Sequence, residues 1–347
     1  MAEPLAPHPD RLFPADPATR DIARQLHASV ADVPIFSPHG HVDAGMLVAD
    51  KPFPDAAALL ITPDHYVTRV MHSLGVDLAD LGVGGSGAPG GSLADPRETW
   101  RIFSTHWSAY LGTPSRYWLE SELASFGVTE QPSADNADAV FDAIGERLRE
   151  PDFRPRALFE RYGIDVLATT DDPCSDLAAH AALAADAGLA GRVIPTFRPD
   201  RYLDPAAPGW VEGIGALTDT SGHDATTFPG YLDALRARRR YFIDHGATAT
   251  DHGVLDAGSE PLDPATAAKL HVRALAGTIS TDEATAYRRG MLFEMARMST
   301  QDGLVMQLHP GILRNHDRAT FARFGGDTGH DLPLATSFSE PLRPLLE

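Results

Sequence analysis

Apolar residues along this chain follow two recurring patterns. In the first, Ile22, Leu26 and Val30 repeat at helical spacing after Asp16-Pro17. A capping residue followed by a proline, whose missing amide is no loss in a first turn, predicts a helix over residues 17–30. In the second, short apolar runs stop abruptly in ionisable residues. Residues 34–38 lead into Ser37-Pro38-His39-Gly40-His41-Val42-Asp43, and 165–170 into Asp171-Asp172-Pro173. Residues 192–197 lead into Arg198-Pro199-Asp200, 245–250 into Asp251-His252-Gly253, and 304–308 into His309-Pro310-Gly311. Runs of this length read as buried strands. With helical stretches between them they predict parallel βα units, and polar residues at strand ends are what the rim of an α/β barrel presents.

Residues 44–160 hold no comparable strand run, whereas 63–74, 100–110, 116–126 and 138–149 have helical periodicity. An inserted helical subdomain is therefore expected after the first strand. The organisation predicted is an N-terminal helix and first barrel strand over 1–43, a helical insertion over 44–160, and strands two to five with their helices over 161–347. Gly82-Val83-Gly84-Gly85-Ser86-Gly87 has the spacing of a nucleotide-binding loop. It lacks the strand before and the helix after that such a site requires, so residues 81–93 read as a loop.

Composition narrows the chemistry. With 29 basic against 48 acidic residues, the net charge is −19, which sets the surface against nucleic acid. The run Arg236, Arg238, Arg239, Arg240 reads in that setting as a solvated helix face. Cys174 is the single cysteine and cannot form an intramolecular disulfide, which fits a reducing cytoplasm. No stretch approaches the roughly 18 apolar residues of a membrane span. Residues 1–10 carry acid and proline where a secretion signal would be basic and then apolar.

Several strand-end residues could carry chemistry. Residues two apart on a strand point the same way, so His39 and His41 can hold one metal ion; two surface histidines at a turn is the alternative. Arg198 offers a planar fork for a carboxylate, or a salt-bridge partner for Asp200. His309 is a functional or a structural strand-end histidine. Asp171-Asp172 and Asp251-His252 are pocket acids or loop caps. Asp64-His65-Tyr66 starts a helix, and its phenol either moves protons or packs. With no GxSxG elbow, no P-loop and no evident base for Cys174, acyl transfer and nucleotide hydrolysis lose support.

Six segments occur in a telling order: Ser37-Pro38-His39-Gly40-His41, Asp64-His65-Tyr66 with Arg69, Thr169-Thr170-Asp171-Asp172-Pro173, Pro195-Thr196-Phe197-Arg198-Pro199-Asp200, residues 299–315 around Met306-Gln307-Leu308-His309-Pro310-Gly311, and Asp327-Thr328-Gly329-His330. Together they resemble the uronate isomerases (glucuronate isomerases), a branch of the metal-dependent amidohydrolase superfamily, from about Leu12 to the last residue. The resemblance implies an α/β fold, a TIM-like (β/α)8 barrel, and interconversion of D-glucuronate with D-fructuronate and of D-galacturonate with D-tagaturonate through a cis-enediol. It assigns His39 and His41 to zinc or another divalent metal, needed for turnover or only for order. His65, Tyr66 and His309 become the catalytic residues, and Arg198, Asp251 and Arg69 the substrate contacts. Phe197 stands where the family usually has tryptophan. Family members also carry sixth to eighth strands, with a metal-ligating aspartate that has no counterpart here. The five strands therefore predict an incomplete barrel with little turnover alone. A small uronate is the expected partner, without nucleic acid or membrane, and a homo-oligomer is compatible with this. A metal-dependent hydrolase on the same barrel and an inert fragment are the competing readings.

Overall fold

A computed structural model describes residues 4–84 and 94–347; the loop expected over 81–93 lies, from residue 85 on, outside the described residues. The chain divides into a helical unit (residues 1–34, 50–163 and 314–332) and a sheet unit (35–49, 164–313 and 333–347). The helical unit thus draws its segments from both sides of the second to fifth strands.

In the helical unit the starts follow one device. Asp16, Asp64, Asp95, Thr113 and Asp317 each turn a side-chain oxygen onto a first-turn amide of the helices Pro17–Val30, His65–Ser73, Pro96–Thr105, Pro114–Ser125 and Arg318–Phe324, satisfying donors that have no partner within the helix. The single helix expected over 100–110 breaks in two. The amide of His106 is shared between the carbonyls of Ile102 and Phe103, tightening the last turn, and a 3-10 turn follows at Trp107–Tyr110. That break turns both Trp107 and Tyr110 into the core with Trp100, Phe103, Leu119, Leu123, Ile144 and Phe153. Each of these large side chains contributes roughly 2–3 kcal/mol of burial. The Pro17–Val30 helix forms as its pattern predicts, but its apolar stripe is not buried: Ile22, Leu26 and Val30 are all more than half exposed.

In the sheet unit the five apolar runs become five parallel strands: β1 (Ile35–Ser37), β2 (Ile164–Ala168), β3 (Arg192–Ile194), β4 (Ala249–His252) and β5 (Val305–Leu308). β2 lies between β1 and β3, and β4 pairs with β5. Phe197 joins the two sets, bridging in parallel to Asp171 on one side and Thr250 on the other. The order along the sheet is therefore the order in sequence, the arrangement of successive parallel βα units. Helices such as Phe228–Asp244 and Thr281–Asp302 cover it, and Phe197, Tyr202, Trp210, Tyr231, Phe242 and Tyr287 fill the core.

Two expectations need correction. The two end strands are not buried, since Phe36 of β1 is 63% and Val305 of β5 65% exposed; among the described residues β1 pairs with β2 alone. Nor do the arginines of 236–240 all lie on a solvated face: Arg240 is exposed and Arg236 partly so, but two are not. Arg238 and Arg239 are buried. Arg238 donates to the carbonyls of Pro173 and Ser175 at 2.6 and 2.7 Å, and Arg239 forks onto Asp302 at 2.6 and 2.8 Å. They share the inner side of their helix with Leu235 and Phe242, where carbonyl and carboxylate partners replace water. Among the described residues no helix is long and apolar enough to cross a membrane.

Candidate active site

The carboxyl ends of the five strands deliver most of the residues singled out above. His39 and His41 follow β1, Thr170 follows β2, Arg198 follows β3, Asp251 ends β4 with His252, and His309 follows β5. A Cβ at position 40 would fall 2.9 Å from the carbonyl of Ala168, so Gly40 is what lets the histidine turn pass close to the end of β2. Thr170 then fixes His41, its Oγ1 lying 2.8 Å from His41 Nδ1 and 3.3 Å from the Gly40 carbonyl. A proton running from His41 to Thr170, and from Thr170 to that carbonyl, leaves the lone pair of His41 on Nε2, as in metal sites whose histidines are oriented from behind.

His39 stands where two donor pairs meet. Its Nε2 is 3.2 Å from His41 Nε2, and its Nδ1 is 3.9 Å from Asp251 Oδ2. Two nitrogens bound to one tetrahedral zinc at about 2.0–2.1 Å would lie roughly 3.3 Å apart. His39 Nδ1 and Asp251 Oδ2 are both buried and have no hydrogen-bond partner. A buried polar atom without a hydrogen bond is costly; the Arg198 ion pair offsets part of that for Asp251 Oδ2, and a cation would satisfy the carboxylate lone pair there. One ligand atom each from His39, Asp251 and His309 lies within 4.8 Å of the others. The donor set of imidazoles and a carboxylate suits zinc.

Asp251 is the centre of this arrangement. It is fully buried; its Oδ1 is 2.5 Å from His309 Nδ1, and its Oδ2 is 3.4 Å from Arg198 Nη1. Arg198 also donates through Nε to Asp200 at 3.0 Å, the salt bridge that the sequence offered as one of its two readings. His252, next along the strand, faces the opposite side. Burial pushes its imidazole down to about 3, and the neutral ring pairs with the Thr250 hydroxyl. Asp172 is a loop cap, accepting the Cys174 amide and the Tyr202 hydroxyl. A cavity of about 410 Å³ opens beside His41, lined by Asp43, Thr170, Asp171, Asp176 and His180. His180 is held below its ordinary value by burial, with Asp171 opposing.

His65, Tyr66 and Arg69 form a separate group on the helical unit. Asp64 caps their helix by accepting the Tyr66 amide at 2.7 Å. The rings of His65 and Tyr66 are 4.4 Å apart, and the Arg69 guanidinium lies 4.7 Å from the Tyr66 ring centre, a favourable cation–π distance. Tyr66 is 46% exposed, with its ring against His65, Trp118 and Arg69. Sequence reasoning placed Thr170 and Gly329 in segments of the resemblance without giving either a role of its own, and gave Asp200 only the salt bridge with Arg198. A Cβ on Gly329 would meet the His65 carbonyl at 2.9 Å and Arg69 Cβ at 3.0 Å, so the Asp327–His330 turn packs directly on the helix of Tyr66. Its glycine with a positive φ was the available signal.

The model of the glucuronate isomerase family matches residues 17–347. The uronate isomerase of Corynebacterium efficiens is 50% identical over 348 residues, covering 100% of this chain and 73% of its own length. That of Cutibacterium acnes is 47% identical, over 97% of this chain and 72% of its own. The crystal structure of glucuronate isomerase from Caulobacter crescentus superposes with a TM-score of 0.95 at 44% identity, covering 99% of this chain and 71% of that one. The uronate isomerase of Thermotoga maritima follows with a TM-score of 0.88 at 28% identity, over 98% and 72%. A family match over nearly the whole chain, joined to relatives at half identity, places the protein without ambiguity: the chain belongs to the glucuronate isomerase family, a family of isomerases.

Proposed function

We propose that the chain isomerises uronates, D-glucuronate to D-fructuronate and D-galacturonate to D-tagaturonate, on the rim of an amidohydrolase-type (β/α)8 barrel architecture to which its five strands contribute. The observation that carries this reading is the convergence of His39, His41, Arg198, Asp251 and His309 at the carboxyl ends of four parallel strands, the place where barrel enzymes build their sites.

In this reading His39 and His41 hold a divalent cation, zinc by donor type, with Asp251 and His309 within reach. Such an ion supplies Lewis acidity toward substrate oxygens. The remaining steps belong to the side chains. Arg198 takes substrate oxygens in its planar fork. The surface carries a net charge of −19, so attraction of an acidic sugar has to be local. The Tyr66 phenol assists removal of the proton on C2, next to the aldehyde, and His65 and Arg69 hold its ring from two sides. Asp251 engages Nδ1 of His309, so Nε2 is the nitrogen that can exchange a proton with a substrate oxygen. The proton returns on C1, and the aldose becomes a ketose with no change in net oxidation.

The test is a coupled assay on D-glucuronate with a fructuronate reductase and NADH. Enzyme-dependent NADH oxidation is expected. Chelator-sensitive cleavage of esters or amides without uronate turnover would instead establish a hydrolase.

A further inference from the structure

We propose that Asp200 is a positioning residue for Arg198, and that the absence of a side chain at Gly253 is what permits it; this rests on the reading of Arg198 as a substrate-binding arginine.

Arg198 lies beyond the last residue of β3, where sheet pairing holds only its backbone. Its amide donates to the Asp171 carbonyl at 3.0 Å, but the guanidinium sits at the end of a flexible stem. Two acids act on that group. Asp251 Oδ2 is 3.4 Å from Nη1, and Asp251 is itself engaged by His309 and lies among the candidate metal ligands. An arginine tethered by Asp251 alone would fold onto the centre of the site and cover the carboxylate there. Asp200 draws it the other way, accepting from Nε at 3.0 Å. With Nε occupied on one edge, the plane of the guanidinium is fixed, and so is the direction of its terminal nitrogens.

Asp200 can do this because its own carboxylate is anchored. Oδ1 and Oδ2 both accept the amide of Gly253, at 2.9 and 3.0 Å. Gly253 directly follows β4, so the carboxylate ties the loop after β3 to the end of the strand that carries Asp251. A side chain there would disturb the pair: a Cβ at position 253 would lie 2.8 Å from Asp200 Oδ2 and 3.0 Å from Arg198 Nη2, so one or both must shift. Asp200 also opens the short helix Asp200–Leu203, which fixes its backbone. A side chain held this way has its rotamers ordered before substrate arrives, and the benefit appears in binding rather than in the chemical step.

The experiment is a double-mutant cycle on D-glucuronate turnover with Arg198→Ala, Asp200→Ala and the pair, with Asp200→Asn and Gly253→Ala beside them. Asp200→Ala should raise KM about tenfold while kcat changes less than about threefold, the signature of lost uniform binding. Asp200→Asn, close in shape and still able to accept the Gly253 amide, should move KM the same way by less, and covers the case in which the alanine variant fails to fold. Gly253→Ala should reproduce the rise. In the Arg198→Ala background, removal of Asp200 should add nothing. If Arg198→Ala raises KM but the Asp200 variants do not, or if the two effects multiply, the positioning role is overturned and the Arg198 reading stands. An unchanged KM in Arg198→Ala would overturn the Arg198 reading, and this inference with it.

Discussion

Asp251 Oδ1 and His309 Nδ1 lie 2.5 Å apart, the carboxylate fully buried and the imidazole half exposed. A buried acid behind a more open imidazole fixes its tautomer and its ring plane, leaving one nitrogen for chemistry. Asp251→Asn and His309→Ala should each lower kcat/KM by at least about 100-fold, and together by little more than either alone, because residues acting as a unit are not additive. Steady-state kinetics on the two single variants and the double variant decide this. Losses that multiply would mean that the two residues act separately.

The buried atoms of His39 and Asp251 that have no hydrogen-bond partner bear on stability as well as on chemistry. A ligand that binds only the folded state stabilises it by mass action, by about 4 kcal/mol at a thousand times its dissociation constant. Exhaustive chelation should therefore lower the thermal midpoint by several degrees, and zinc should restore it. In His39→Ala the midpoint should not respond to zinc. A wild-type midpoint that is blind to zinc would remove the metal from this site.

Tyr66 separates function from packing because it is 46% exposed. Tyr66→Phe removes one oxygen and leaves the ring against His65, Arg69 and Trp118. Stability should stay within about 0.5 kcal/mol of wild type, as for other surface changes. If the phenol moves a proton, kcat should fall by about 100- to 10,000-fold, the usual worth of a general acid or base. Equal kcat would return Tyr66 to a binding role.

The sequence was most readable where local pattern and chemistry coincide. Each apolar run that stopped in ionisable residues became a strand with its polar residues at the carboxyl end, because a buried strand and a wet rim leave that signature whatever surrounds them. Tertiary neighbours decided the rest. Five strands imply unpaired edges, but an apolar run cannot say which strand takes an edge, so the exposure of Phe36 was not legible in its own segment. Nor can charge spacing reveal that the carbonyls of Pro173 and Ser175 and the carboxylate of Asp302 wait beneath Arg238 and Arg239. For Arg198 the sequence posed a choice between substrate fork and salt bridge, and the geometry shows the ion pair with Asp200 and a second with Asp251. His39 and His41 were legible as a pair, but both lie past the end of β1, so a turn through Gly40 rather than strand alternation brings their Nε2 atoms to 3.2 Å. The clustering of Asp251 and His309 around His39 depends on strand order, which spacing does not encode.

Gly329 tests whether the turn over residues 327–330 holds the helix of His65 and Tyr66. Its φ is +81° and a Cβ there would meet backbone at 2.9 Å, so an alanine faces both backbone strain and a clash. Gly329→Ala should destabilise the protein by about 1–3 kcal/mol. It should also lower kcat/KM at temperatures where the variant is fully folded, since the displaced atoms belong to His65 and Arg69. Gly222 also has a positive φ, +73°, but no atom within 4 Å of its Cβ position, so Gly222→Ala is the control for strain alone. Equal activity in the two variants would reduce the turn to a scaffold.

Glu122 gives the helical unit a pH dependence of definite sign. Burial, with the negative charge of Asp64 adding to it, raises the Glu122 carboxyl from 4.5 to about 7. Between those values the folded chain keeps a proton that the unfolded chain has released. Stability is therefore undiminished below pH 4.5, falls as pH rises through the window, and stays low above 7. The full cost is on the order of 3 kcal/mol, at 1.36 kcal/mol per pH unit. Glu122→Gln stays neutral throughout. It should be more stable than wild type by about 1–3 kcal/mol at pH 8, and its advantage should shrink toward pH 4.5. Denaturant unfolding of both proteins at pH 5 and pH 8 measures this. Asp64 is also the cap that accepts the Tyr66 amide, so ionised Glu122 repels the carboxylate that starts the helix of His65 and Tyr66. An equal stability difference at both pH values would show that Glu122 does not titrate in this range.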